Sequence, residues 1–136
     1  KDVRSRRLKE RKRIIMERKR IVVKAEELPF TKVEWGQTKE LVGRFCEAQS
    51  DNVLFKITEY LPHFQHSTHV HPEQEEIIYV LSGKAVTESG DERLDLYPGM
   101  LCHVPAGVVH ATYNPYDEPC RCVIVKCPPD KDRFKS

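Results

Sequence analysis

Two stretches of this sequence hold the residues best suited to chemistry. The first runs from His69 through His71 and Pro72 to Glu75 and Glu76. In a strand, residues two apart point the same way, so His69 and His71 present both imidazoles to one face. Past the bend at Pro72 a second strand is expected near Glu76. On it Glu76, Ile78 and Val80 share one face, and Ile77, Tyr79 and Leu81 the other. An ionised Glu76 among apolar neighbours is costly unless a cation or donor compensates it. A metal ion bound also by the two histidines is the economical partner. The second stretch runs from Gly99 to Asn114. Its Pro105, Ala106 and Gly107 make a tight turn, because Pro presets φ and Gly accepts unusual values. His110 then opens the next strand and can reach back toward the first pair.

Three imidazoles and one carboxylate are borderline-to-hard donors. They suit one divalent transition metal ion, Fe, Mn, Ni, Co or Zn, rather than Cu(I) or Ca(II). About four protein ligands on an octahedral ion leave two positions for water, substrate or dioxygen, as a catalytic site requires.

The elements that must position these groups read as short strands. Strand signals are expected near 21–24, 31–35, 39–45, 53–60, 67–71, 76–82, 84–88, 92–96, 100–104, 109–114 and 121–127. Turn residues punctuate them, among them Ser82 and Gly83, Pro98 and Gly99, and Asn114 and Pro115. Ser89, Gly90 and Asp91 between two such runs read as a hairpin. Many short strands with no helix between them imply an antiparallel sandwich or barrel. Ahead of them, Asp2 to about Lys19 is free of Gly and Pro and rich in helix formers, without a clean apolar stripe. The division expected is therefore a basic helical extension over 1–20, a barrel over 21–128 and a polar, frayed tail over 129–136.

At 136 residues the chain fits one domain. Its net charge of +2 hides a sharp asymmetry. Residues 1–24 carry twelve Lys or Arg against Asp2, Glu10 and Glu17, a local +9 that leaves −7 on the remainder. The arm lacks interleaved aromatics, so it is expected to be solvated or to lie on its own acidic barrel or on a partner subunit, and nucleic acid is not expected as a partner. Five cysteines, an odd number without a repeated spacing, make a poor disulfide framework. With no apolar run of membrane length and no export signal, they point to a reducing, cytoplasmic location.

The two stretches resemble the paired motifs of the cupin superfamily. The first, G-x5-H-x-H-x3,4-E-x6-G, is matched from His69 through Glu76 to Gly83, but Pro62 to Thr68 contains no leading glycine. The second, G-x5-P-x-G-x2-H-x3-N, is matched in full from Gly99 to Asn114. The resemblance spans about residue 40 to residue 127. It implies an all-β fold, a jelly-roll antiparallel β-barrel, often a homodimer, with a metal inside held by His69, His71, Glu76 and His110. Glu75 is a rival for Glu76. Glu76 is preferred because it leaves six residues before Gly83 and places Glu75 outside.

Around the ligands, Cys102, Thr112, Ile78 and Tyr60 are candidates to line a pocket. His63 and His66 are expected at the rim, His103 facing away, Asn114 tying a turn, and Trp35 on the outer sheet or at a dimer interface. No unassigned acidic residue falls inward by parity, so no catalytic general base is assigned. The expected function is a metal-dependent enzyme acting on a small oxygen-containing molecule, with dioxygenase-like chemistry favoured. The alternatives are a metal-dependent isomerase or lyase, and a non-catalytic cupin that senses a small ligand.

Overall fold

Inward alternation of side chains along three neighbouring strands builds the core. The computed structural model of the protein describes residues 2–17 and 20–134, the side chains of 12–17 excepted. Strand β4 (Leu54–Tyr60) buries Leu54, Lys56, Thr58 and Tyr60 and leaves the residues between them partly accessible. Strand β10 (Cys120–Cys127) likewise buries Cys120, Cys122, Ile124 and Lys126, and β5 (Glu75–Ser82) buries Glu76, Ile78 and Val80. Period-two burial of this kind is the mark of a sheet with one face in the core.

The remaining strands are β1 (Thr31–Val33), β2 (Gly36–Gly43), β3 (Ala48–Gln49), β6 (Ala85–Ser89), β7 (Glu92–Leu96), β8 (Leu101–Val104) and β9 (Ala111–Tyr113). The larger sheet has the order β1-β2-β4-β10-β5-β8, with β3 added to β2, and the smaller one β7-β6-β9. Every named pairing is antiparallel except the short β2–β3 contact. The architecture is thus the antiparallel, two-sheeted barrel expected from sequence. Ile78, Val80, Ala85, Leu96, Cys120, Cys122 and Ile124 form its apolar centre with Trp35 and Tyr60.

The helix runs from Val3 to Glu17, and the expected end at Lys19 lies outside the described residues. Residues 21–24, expected as a strand, pair with nothing in the named sheets, and Ile21 and Val22 are exposed. Their β-branched side chains supply propensity, but propensity without a neighbouring strand makes no sheet. Trp35 is not on an outer surface. It sits in the turn between β1 and β2, only 7% exposed, with its ring centroid 5.8 Å from that of Tyr60. The tail is not frayed through Phe134 either. Gln74 Nε2 donates to Pro128 O at 2.8 Å, and the Phe134 amide donates to Glu40 Oε1 at 3.2 Å. All five thiols are free.

Gly83 follows β5 with φ at +74°. A side chain there would drive its Cβ to 2.2 Å from the Pro119 carbonyl oxygen, so the second glycine of the first motif keeps the loop after β5 close against the start of β10.

Candidate metal centre

The stretch expected as a strand at 67–71 contributes a single bridge instead. His69 and His110 form an isolated antiparallel pair, with His69 N–H donating to His110 O at 2.8 Å and His110 N–H to His69 O at 2.9 Å. Their ring centroids are 4.4 Å apart. The His71 carbonyl accepts from the Gly107 amide at 2.9 Å, which fastens the first motif to the Pro-x-Gly turn of the second. Glu76 is the second residue of β5 and points inward at 4% exposure.

These elements bring His69, His71, Glu76 and His110 together, one ligand atom of each within 4.8 Å of all the others. The group is able to hold a metal ion. Glu75 goes the other way, exposed and accepting from His103 Nε2 at 2.9 Å, and His103, expected to face away, also lines the cavity that His110 borders.

Ring tautomers are prepared for the same purpose. His69 Nδ1 lies 3.1 Å from Ser67 O, and His110 Nδ1 lies 2.9 Å from Val108 O. A proton on Nδ1 donated to each carbonyl leaves both Nε2 lone pairs aimed at the common centre. His71 Nε2 is buried and has no hydrogen-bond partner. A buried imidazole nitrogen without a protein partner, beside two other imidazoles and a carboxylate, is placed to bind a cation. The donor set therefore fits a divalent transition metal ion.

Electrostatics at the site follow from the same contacts. Hydrogen bonding to Glu76 Oε2, 3.2 Å away, holds the His110 imidazole above its ordinary pKa although burial opposes it. Burial pushes the Glu76 carboxyl up, but the His110 contact and the positive charge of Lys126 outweigh it, leaving Glu76 below the usual range. Burial and then Lys126 lower His71 and keep it neutral, the form that binds metal.

A cavity of about 270 Å³ opens beside the centre, between β6 and β7 on one side and β8 on the other. Thr87, Ser89, Leu94, Cys102, Val104 and His110 are among its walls. His110 is shared between wall and candidate ligand group. Cys102, expected near a pocket, lies on this wall, with its Sγ 3.7 Å from Thr87 Oγ1. Thr112 is buried with its Oγ1 unpartnered, on the strand beside Thr87. Ile78 and Tyr60 sit in the apolar centre, not on this wall.

The neighbouring histidines differ. His63 is exposed and meets Asp117 at 2.6 Å, whereas His66 is half-buried, its ring centroid 4.9 Å from that of His69. Asn114 does tie a turn, donating to Glu118 O at 2.7 Å and accepting from the Tyr116 amide at 3.0 Å.

The leading glycine of the first motif falls at position 63, six residues before His69. His63 occupies it with φ at +57°, one of two non-glycine residues in the described structure with positive φ. The left-handed torsion that glycine adopts most readily is thus held here by a histidine.

The family model described as the cupin domain matches residues 56–126. The chain belongs to the cupin family. No curated protein matches this cupin. Among solved structures it is similar to KdgF from Halomonas sp., at 20% identity and a TM-score of 0.69 over 81% of this chain and 94% of that one. It is also similar to TT1209 from Thermus thermophilus, at 27% identity and a TM-score of 0.62 over 79% and 96%. A third similar structure, the DMSP lyase DddQ from Ruegeria pomeroyi, shows 25% identity and a TM-score of 0.60. That match covers 81% of this cupin but only 52% of the lyase. The likeness to KdgF speaks for the fold alone.

Sequence reasoning missed the charged residues of the inner layer. Lys56 and Lys126 are both fully enclosed, and the Glu40 side chain is 4% exposed. The signal was available, since Lys56 has the parity of Tyr60, and Lys126 that of Cys122 and Ile124. Glu40 also corrects the expectation that no further acidic residue turns inward. A register shift between Glu40 and Val42 brings both Glu40 and Leu41 toward the interior, which strict alternation does not anticipate.

Proposed function

We propose that this cupin is a metal-dependent enzyme acting on a small oxygen-containing molecule, with His69, His71, Glu76 and His110 as the ligands of one divalent ion. The observation that carries this reading is a convergent group of three imidazoles and a carboxylate, one of which, His110, also lines a cavity. When bound, such an ion supplies Lewis-acid polarisation of a substrate oxygen or, if it is iron, dioxygen activation. The chain's own residues do the rest. The Ser67 and Val108 carbonyls fix the rings of His69 and His110. Thr87 offers a hydroxyl to the cavity, Leu94 and Val104 line it with apolar surface, and Glu92 and His103 add ionisable groups.

Two reaction types divide the reading. Dioxygenase-like chemistry, favoured from the sequence, needs only the ion and its open positions. Redox-neutral lyase or isomerase chemistry gains from the likeness to a DMSP lyase. It gains also from the inward ionisable groups, which remove the sequence argument against acid–base work at this site.

The test is to load metal-free protein anaerobically with Fe(II), Mn(II), Ni(II), Co(II) or Zn(II) and supply diketone, flavonol and hydroxy-acid panels. Oxygen uptake with Fe(II) supports dioxygenation, and product without oxygen uptake supports the lyase or isomerase branch. Absence of turnover with every metal, together with ligand-dependent thermal shifts, would overturn the enzyme reading in favour of a sensor.

A further inference from the structure

The basic arm takes no part in the metal centre. Its helix, α1 (Val3–Glu17), carries seven Lys or Arg against Glu10 and Glu17. The start of α1 is set locally, with the Arg4 amide donating to Asp2 Oδ1 at 2.9 Å in the manner of a helix cap. Every residue from Asp2 to Arg11 is exposed, Val3 at 64% and Leu8 at 57%. This part of the helix therefore does not rest on the barrel, although the chain beyond the arm carries the opposing −7.

The cations are not gathered on one side. Arg4, Arg7 and Arg11 follow at intervals of three and four residues and form one stripe along the helix. Arg6 and Lys9 form a second stripe, roughly 160° round the axis from the first. Like charges at these intervals destabilise a helix standing alone, and an anionic partner reverses that effect.

Two stripes on opposite sides call for negative charge on both sides at once. An acidic protein surface, a second copy's barrel included, answers one stripe and leaves the other facing water. A membrane is likewise one-sided and asks for an apolar face, whereas Val3 and Leu8 fall about 140° apart. The major groove of duplex DNA is about 12 Å wide, admits an α-helix about 10–12 Å across, and is walled by a phosphate strand on either side. The missing aromatics deny the arm a means of stacking on single-stranded bases, but a duplex backbone needs none.

We propose that α1 is a DNA-binding arm that lies in the major groove, with Arg4, Arg7 and Arg11 on the phosphates of one strand and Arg6 and Lys9 on those of the other. Contacts of this kind position the helix without reading base sequence. The acidic barrel is repelled by the same phosphates, which confines the contact to the arm.

The experiment follows the fluorescence anisotropy of a labelled duplex of about 20 base pairs, titrated with full-length protein at salt concentrations from about 50 to about 200 mM. Five phosphate contacts give a slope of log affinity against log salt of about −4.5, a loss of about 500-fold over that range. Two duplexes of unrelated sequence are expected to bind within about threefold of each other. The triple variant Arg4→Gln, Arg7→Gln, Arg11→Gln is expected to flatten the slope by about 3 and the double variant Arg6→Gln, Lys9→Gln by about 2, with thermal unfolding of the barrel unchanged. Absence of duplex binding at the lowest salt overturns the proposal. An unchanged slope in either variant does so too, because each stripe must meet its own strand. Tighter binding to a single strand of the same length, to vesicles rich in phosphatidylserine, or to a second copy of the chain by sedimentation would assign the arm to another partner and equally overturn it.

Discussion

His69 and His110 exchange both backbone hydrogen bonds at 2.8 and 2.9 Å, although neither belongs to a named strand. The main chain, and not the imidazoles, thus holds the two motifs together. Replacing either side chain should leave that bridge intact. His69→Ala and His110→Ala are each expected to drop bound metal from about one per chain to near zero, with the far-ultraviolet circular dichroism of the barrel preserved. Full metal content in both variants, measured by elemental analysis, would sink the ligand assignment.

The His110–Glu76 contact makes the metal-free protein sensitive to pH. Bonding to Glu76 raises His110 in the folded state, so its contribution to stability is full below the unfolded value of 6.5 and fades as pH rises through the higher folded value. Glu76 is lowered despite its burial, so its contribution is full above the unfolded value of 4.5 and fades as pH falls through the lower folded value. His71 and Lys56 are lowered and weigh the other way, so the share of His110 is read as a difference: His110→Ala should lose more urea resistance in the metal-free protein at about pH 5.5 than at about pH 8. Metal binding needs neutral His110, so metal affinity should rise with pH over the same interval. A metal affinity that falls from pH 6 to pH 8 would contradict this account.

Position 63 separates the side chain from the backbone. An L-residue held in the left-handed region costs roughly 1–2 kcal/mol, part of which glycine returns through its freer unfolded chain. Both His63→Gly and His63→Ala lose the contact to Asp117, so their difference isolates the torsion. The glycine variant should be the more stable of the two by about 1 kcal/mol in chemical denaturation. Equal stability would show that His63 leaves the left-handed region at no cost.

Asp130 is expected to matter more than its place near the end of the chain implies. Its carboxylate meets the enclosed Lys126 ammonium and also accepts from Gln74 Nε2 at 3.0 Å. Removing one member of a buried ion pair costs about 3 kcal/mol or more. Asp130→Ala should lower stability by about that amount, and adding Lys126→Met should recover part of it. A loss under about 0.5 kcal/mol would mean that solvent reaches Lys126 and screens it.

Much of this was legible in the residues themselves. The spacing of His69, His71, Glu76, Gly83, Gly99, Gly107 and His110 carried the barrel and the candidate ligands, because each letter answers to a turn torsion or a donor atom that few residues supply. Strand parity placed Glu75 and His103 outside and Glu76 inside for the same reason. It fails at Glu40, where a bulge breaks alternation, and it holds at Lys56 and Lys126, whose charge alone argues for the surface. Ile21 to Val23 misled in the opposite sense, since β-branched side chains report a preference and not the presence of a partner strand. At His69 a single pair of hydrogen bonds leaves the same two-residue rhythm in the sequence as a longer ladder, so the residues alone do not tell bridge from strand.

The His63 torsion carries a lesson for recognising relatives. Six residues before the first histidine this chain holds the left-handed torsion that glycine adopts most readily, and it does so with a histidine. A search that insists on the letter would pass over this chain at that position. One that asks whether the preceding loop can turn left-handed would admit histidine, asparagine or aspartate there and would gather proteins whose alphabet has drifted while their geometry has not.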